Sequence, residues 1–205
     1  MVRRFRIYTI LSELPVYLMI TVVSGLPRSG TSLMMQMLHA GGLSILTDNI
    51  RPPDENNPRG YFEYERVKAL KTDNSWLKKA EGKAVKIISY LLPHLPLEYP
   101  YKIIFMERNL VEVYHSQQKM IRNLGQMSTA EKDKLIHTFE LHLNYIKPWL
   151  MAQPRMSVLE VSHQDVLTQP EVMAHQIADF LEMPLAVDRM AAVVDPQLYR
   201  ERIPS

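Results

Sequence analysis

Leu18-Met-Ile-Thr-Val-Val-Ser-Gly25-Leu-Pro-Arg-Ser-Gly-Thr-Ser32 joins an apolar run directly to a turn bounded by two glycines. The run from Leu18 to Ser24 reads as a buried first strand. Gly30 to Ala40 then reads as a helix, with Leu33, Met34, Met37 and Leu38 on one apolar face. A turn in that position is a natural anion site. Its amides and the helix N-terminus converge on a bound phosphate, and glycine lets the backbone come close.

Gly25, Gly30 and then Thr31-Ser32 follow the spacing of a phosphate-binding loop in every respect but one. Thr31 stands where the nucleoside-triphosphatase signature has Lys, and the positive charge comes earlier, at Arg28. Loops of the ordinary kind use that Lys with a magnesium ion to neutralise β- and γ-phosphates. This one offers a guanidinium, hydroxyls at Ser29 and Thr31, and amides. Such a set suits a less charged group and needs no metal.

Outward from the loop, three more short apolar runs follow: Ala84 to Ser89, Tyr101 to Met106 and Met156 to Val161. They are nearly continuous, as strands covered on both faces tend to be. Helical patterns lie between them. Leu110 to Asn123 ends ahead of Gly125, a C-terminal cap. Ser128 and Glu131 have capping-box spacing before Leu135, Phe139, Leu143, Ile146 and Leu150, and Pro148 is expected to kink or end that helix. A last long helix starts near Pro170 and buries Met173, Ile177, Phe180 and Leu181. The alternation predicts an α/β fold of three layers, α/β/α, around a mainly parallel sheet of the P-loop type. One domain from 19 to 205 follows a poorly anchored extension, 1–18, and Met19 is a possible natural start. Residues 47–60, polar and carrying three prolines, read as an active-site lid.

The composition narrows the chemistry. The chain has 205 residues, 46% hydrophobic and 22% charged, which excludes a disordered or fibrous protein. Lys plus Arg is 24 against 22 Asp plus Glu, so no nucleic-acid partner is implied. With no Cys there are no disulfides, thiolate metal sites or cysteine nucleophile. His39, His137, His142 and His175 show no ligand-like spacing, and no metal site is expected. Arg3, Arg4 and Arg6 imitate a signal peptide, but Glu13 and Pro15 interrupt the apolar stretch. The charge-free run from Leu14 to Pro27 falls short of the roughly 20 residues of a membrane span. A cytoplasmic protein is expected.

Gly25-Leu-Pro-Arg-Ser-Gly-Thr-Ser-Leu33 resembles the 5′-phosphosulfate loop of sulfotransferases that use 3′-phosphoadenosine 5′-phosphosulfate (PAPS). Its Pro-Arg-Ser-Gly-Thr form is similar to the branch of tyrosylprotein and bacterial enzymes; the cytosolic steroid and phenol enzymes have Lys at Arg28. Arg108, followed eight residues later by Ser116, resembles the family's 3′-phosphate site. Physically the pair offers a charged fork and a hydroxyl to a phosphate that ATP lacks. Leu110 departs from the family's usual Pro. Val161 to Glu171 resembles the family's strand, turn and helix entry. The glycine-rich loop of the cytosolic enzymes near the C-terminus is missing, and Arg200 stands near its place.

The resemblance implies PAPS as co-substrate, adenosine 3′,5′-bisphosphate (PAP) as product and no metal. Pro27, Arg28, Ser29, Gly30, Thr31, Ser32, Arg108, Ser116 and Arg200 are then the nucleotide residues. The reaction would move a sulfuryl group to a hydroxyl or amine, and the acceptor would be a small molecule rather than a protein. Cytosolic members use a His after the strand that here reads Lys86-Ile-Ile-Ser-Tyr90, and no His occurs until His94. A Glu base is the substitute, Glu63 or Glu65. On a helix the two would project about 200° apart, so at most one enters the site. The bacterial pattern Asn-Pro-x-Gly-Tyr-x-Glu favours Glu63. Lys86, inside an apolar strand, either reaches the sulfuryl group or leans out at the sheet end. Two rival readings stand beside this one: a P-loop kinase or nucleotide hydrolase, and a catalytically silent nucleotide-binding module.

Overall fold

In a computed structural model, residues 19–48, 50–126 and 131–195 are described. The proposed extension 1–18, Ser128 of the capping box and Arg200 lie outside them. Four strands form one all-parallel sheet: β1 (Ile20–Gly25), β2 (Ala84–Lys86), β3 (Tyr101–Glu107) and β4 (Met156–Ser162), in the order β2-β1-β3-β4. All four apolar runs read from the sequence are strands, although β2 stops three residues early, at Lys86.

Both faces of the sheet are buried, and alternation along each strand divides the core in two. Ile20, Val22, Tyr101, Ile103, Phe105 and Met156 pack on one side, against Trp76, Leu92 and α3 (Lys132–Met151). Val23, Ile104, Met106, Leu159 and Val161 face the other side. There they meet α1 (Thr31–Ala40), α5 (Pro170–Leu181) and α6 (Val187–Ala192). The architecture is the expected α/β/α layering. It stands every strand's carboxyl end, and hence the turn after β1, on one edge of the molecule.

Three local expectations meet the packing differently. α2 (Leu110–Asn123) ends as expected, with the Gly125 N–H donating to Arg122 O at 2.9 Å. The capping box does not form as read. Glu131 is itself the N-cap residue of α3 and so cannot sit three residues inside the helix. Pro148 neither ends nor visibly interrupts α3, which continues to Met151. Near a helix end a proline removes one bond of the last turns, and the buried Ile146 and Leu150 beside it keep those turns packed. Between Tyr61 and Gly82, where the sequence suggested only a helix at Glu63 and Glu65, short 3₁₀ turns at Glu65–Ala69 and Leu77–Ala80 close over Trp76. No described helix is long and apolar enough to cross a membrane.

Candidate active site

The turn after β1 is held open by its backbone. Gly25 has φ +141°, and a Cβ there would stand 2.5 Å from Met106 O on the neighbouring strand, so only glycine fits. Arg28 is left-handed at φ +73°, an uncommon state for a residue with a side chain, and Arg108 Nη1 donates to its carbonyl at 3.1 Å. Gly30 is the N-cap of α1 and supplies no side-chain cap; no acidic residue occupies the first turn. The first amides of α1 are therefore left for a ligand, and Gly30, Thr31, Ser32 and Leu33 line a cavity of ≈ 250 Å³.

Most of the residues singled out in the sequence converge there. Pro27, Arg28, Gly30, Thr31, Ser32, Glu63, Lys86, Arg108 and Ser116 all line the cavity. Arg28 Nε donates to Ser116 Oγ at 2.9 Å, joining two motifs 88 positions apart. Burial pulls the Arg28 guanidinium below its ordinary value, and the neighbouring Arg108 and Arg51 act in the same sense. Arg108, at the carboxyl end of β3, pairs with Glu112 at 3.0 Å one turn along α2, both side chains over nine-tenths buried. Ser29 is placed otherwise. Its Oγ is buried toward Gly25 and the residue is not part of this cavity's lining, so Thr31 and Ser32 are the loop's hydroxyls here.

Lys86 turns inward. Its Nζ donates to Tyr61 O at 2.9 Å and Ser32 Oγ at 3.1 Å and lies 3.5 Å from Glu63 Oε1. Burial pushes this ammonium down to about 8 against the opposing pull of Glu63. Glu63 and Glu65 do not share a helix, contrary to the expectation. The chain reaches Glu63 through Phe62, left-handed at φ +54°, and Glu65 only begins the next 3₁₀ turn. The outcome still separates the pair. Glu63 lies in the cavity between Lys86 and Arg51, whereas Glu65 is exposed and bound to Lys68 at 2.7 Å.

From the polar segment, Arg51, Glu55, Asn56, Asn57 and Pro58 line this cavity. Asp54 accepts from the Asn56 and Asn57 amides and from Tyr61 Oη at 2.7 Å. Burial and that bond push the Tyr61 phenol up to about 12, so it keeps its proton. Asn56 O accepts from Arg28 Nη2 at 3.2 Å, and its side chain accepts from Asn123 of α2. Arg59 bonds to Val193 O and Asp195, below α6.

Several cavity residues escaped the sequence reading. Arg51 was hidden among the polar residues of 47–60. Tyr61 sits inside a quoted motif that drew attention only to its glutamates. Lys119 and Met120 lie one turn beyond Ser116 on α2, a helical offset that would have found them. His163, first residue of α4 (His163–Thr168), packs against the loop so closely that a Cβ on Gly30 would meet its ring at 2.5 Å. Burial, then Arg108, hold its imidazole down at about 4, and it is neutral at pH 7. Among the described residues no cluster of His, Asp or Glu could hold a metal ion.

A family model described as "Sulfotransferase domain" matches residues 20–199. No curated protein matches significantly. Among solved structures, the sulfotransferase domain of the Synechococcus PCC 7002 olefin synthase is 17% identical; the match covers 91% of this chain and 89% of that one, with a TM-score of 0.52. The sulfotransferase domain from the curacin biosynthetic pathway is 14% identical over 95% and 94%, TM-score 0.47. A retinol dehydratase, solved with androsterone and inactive cofactor PAP, is 20% identical over 88% and 64%, TM-score 0.46.

Proposed function

Because the chain belongs to the sulfotransferase domain family, whose reaction is PAPS-dependent sulfuryl transfer to an acceptor, we propose that the cavity at the turn after β1 is its donor site. In this reading residues 27–32 hold the 5′-phosphosulfate, Arg108 and Ser116 hold the 3′-phosphate, and Glu63 takes the acceptor's proton. The hydrogen bond from Arg28 to Ser116 carries the reading. It joins the loop to the 3′-phosphate pair, as one nucleotide spanning both would require.

PAPS supplies the sulfuryl group, which passes to the acceptor oxygen as PAP is released. Charge then builds on the departing phosphate, and Arg28 and the first amides of α1, which line the cavity, are the groups that would meet it. Lys86 stands on the far side of the loop, beside Glu63, and neutralises the migrating group. Glu63, at the cavity wall, receives the acceptor proton. The Pro-Arg-Ser-Gly-Thr loop and a Glu in place of His support kinship with the bacterial and tyrosylprotein branch. The acceptor in this reading is a small molecule that meets the site at the β2 end, beside Glu63 and Lys86.

Metal independence is part of the proposal, supported by Arg28 and the absence of Lys at position 31. Melting followed in EDTA should rise with PAP and stay level with ATP; adding magnesium should not make ATP a comparable ligand. Labelled sulfuryl transfer from PAPS should continue in EDTA. Strict magnesium dependence would point to phosphoryl transfer instead.

Lys86 predicts a pH dependence. Its charged form is the one that meets sulfate, and the free protein loses that proton near pH 8. The kcat/KM for PAPS, which reports the free enzyme, should be level on the acid side of 8 and fall as pH rises through it. Lys86→Arg should carry the plateau to higher pH. An unchanged descent in that variant would remove Lys86 from the assignment.

A further inference from the structure

Sheet order divides the site into two ends. β2 and β3 flank β1 on opposite sides, so Arg108 stands on one side of the loop and Lys86 on the other. With the 3′-phosphate at the β3 side, the β2 side faces whatever receives the sulfuryl group. Glu63, Tyr61 and Arg51 gather there with Lys86.

Arg51 has no part in the reading so far. It comes from the polar segment, and its guanidinium lies on the Tyr61 ring, 3.4 Å from the centroid. Nη1 is 3.3 Å from Glu63 Oε1, and 37% of the side chain is exposed. A guanidinium has five N–H donors in a rigid fork, and stacking on an aromatic ring presents its edge rather than its face. One donor goes to Glu63; the edge opens on the cavity. The positions of the cations point the same way. Arg28, Arg51, Lys86, Arg108 and Lys119 line the cavity against Glu55, Glu63 and Asp195. Arg28 and Arg108 answer the donor's phosphates and Lys86 its sulfuryl group. Arg51 and Lys119 remain; Lys119 stands on α2 one turn beyond Ser116, and Arg51 is the one beside Glu63 at the acceptor end.

We infer that the acceptor carries an oxyanion, of which a carboxylate is the simplest case, and that the Arg51 fork on Tyr61 is the seat for it. The inference rests on the proposed donor site and on Glu63 as base. It also gives the Arg51–Glu63 contact a purpose. Proton transfer to a carboxylate forfeits its attraction to each cation beside it. An acceptor whose oxyanion takes the fork relieves Glu63 of one of its two cations, and it brings the acceptor hydroxyl to the base in the same movement. A neutral acceptor does neither.

The test uses the full chain saturated with PAP, titrated calorimetrically with phenylacetate and separately with the isosteric phenylacetamide. The carboxylate should bind at least about tenfold more tightly, the scale of one charge-assisted contact. Arg51→Met should erase that advantage, and Arg51→Lys, which keeps the charge without the fork, should retain part of it. In turnover, a hydroxy acid should exceed its methyl ester in kcat/KM through KM, and Arg51→Met should bring the two together. Equal affinities, no binding of either probe, or an advantage that survives in Arg51→Met each overturn the inference. So does an equal loss for acid and ester in turnover, which would mean that Arg51 serves the sulfuryl group itself. PAP saturation is measured first. Its failure refutes the donor site and takes the inference with it, whereas normal PAP binding with indifferent probes refutes the acceptor seat alone.

Discussion

Glu63→Gln is expected to lower sulfuryl transfer by about 10²–10⁴-fold and to leave PAP affinity nearly unchanged. The amide keeps the size of the carboxylate and can still meet Lys86 and Arg51, yet it cannot receive the acceptor proton. Nothing in the nucleotide pair depends on it: Arg28, Arg108 and Ser116 bond to one another on the opposite side of the loop. Glu65→Gln is the control, because the Glu65 side chain is exposed and pairs with its neighbour Lys68. An exposed pair of that kind is worth little, at most about 1 kcal/mol, so the Glu65 variant should turn over normally. Rates measured beside PAP binding for both variants decide the matter. A dead Glu65 variant would move the base by two positions; two active variants would remove a carboxylate base from the mechanism.

Arg108→Ala is expected to abolish the protein's preference for PAP over 5′-AMP. In the parent protein the 3′-phosphate should add roughly tenfold to a hundredfold in affinity, corresponding to about 1.5–3 kcal/mol for a charge-assisted contact. The variant carries a second cost. Arg108 also holds the Arg28 carbonyl and neutralises the buried Glu112, so its removal leaves a carboxylate under nine-tenths cover. Arg108→Ala with Glu112→Gln separates the two effects. The double variant should recover melting temperature without recovering the preference for PAP. Restored discrimination in the double variant would mean that the 3′-phosphate is read elsewhere.

Much of this was legible along the chain because it depends on local order. Strand and helix alternation is a matter of period, and four short apolar runs between helical patterns specified four covered strands. The loop was legible for the same reason, since a strand, a tight turn with glycines at fixed offsets and a helix start are contiguous. Arg108 and Ser116 were legible as a pair because a strand end running straight into a helix fixes their separation, and that separation resembles the family's 3′-phosphate site. The region from Tyr61 to Gly82 was not. Its 3₁₀ turns have no apolar period, and only the burial of Trp76 reveals that they close the core.

Pattern and spacing therefore determined the layered α/β class and the anion loop after β1, and the resemblance of short motifs to the sulfotransferases supplied Arg108, Ser116 and Glu63. The tertiary structure decided which way they point. Lys86 had two directions open to it, and packing at the β2 end turned it toward Ser32, Tyr61 and Glu63. Glu63 and Glu65 were separated by the left-handed turn at Phe62, which no helical or extended period foretells. Ser29 went beneath the loop, and Arg51 came in from a segment whose sequence reads only as polar. The physical reason is common to all four. Backbone period follows from neighbours within a few residues, whereas an irregular turn and the direction of a polar side chain are set by partners that only folding brings within 4 Å.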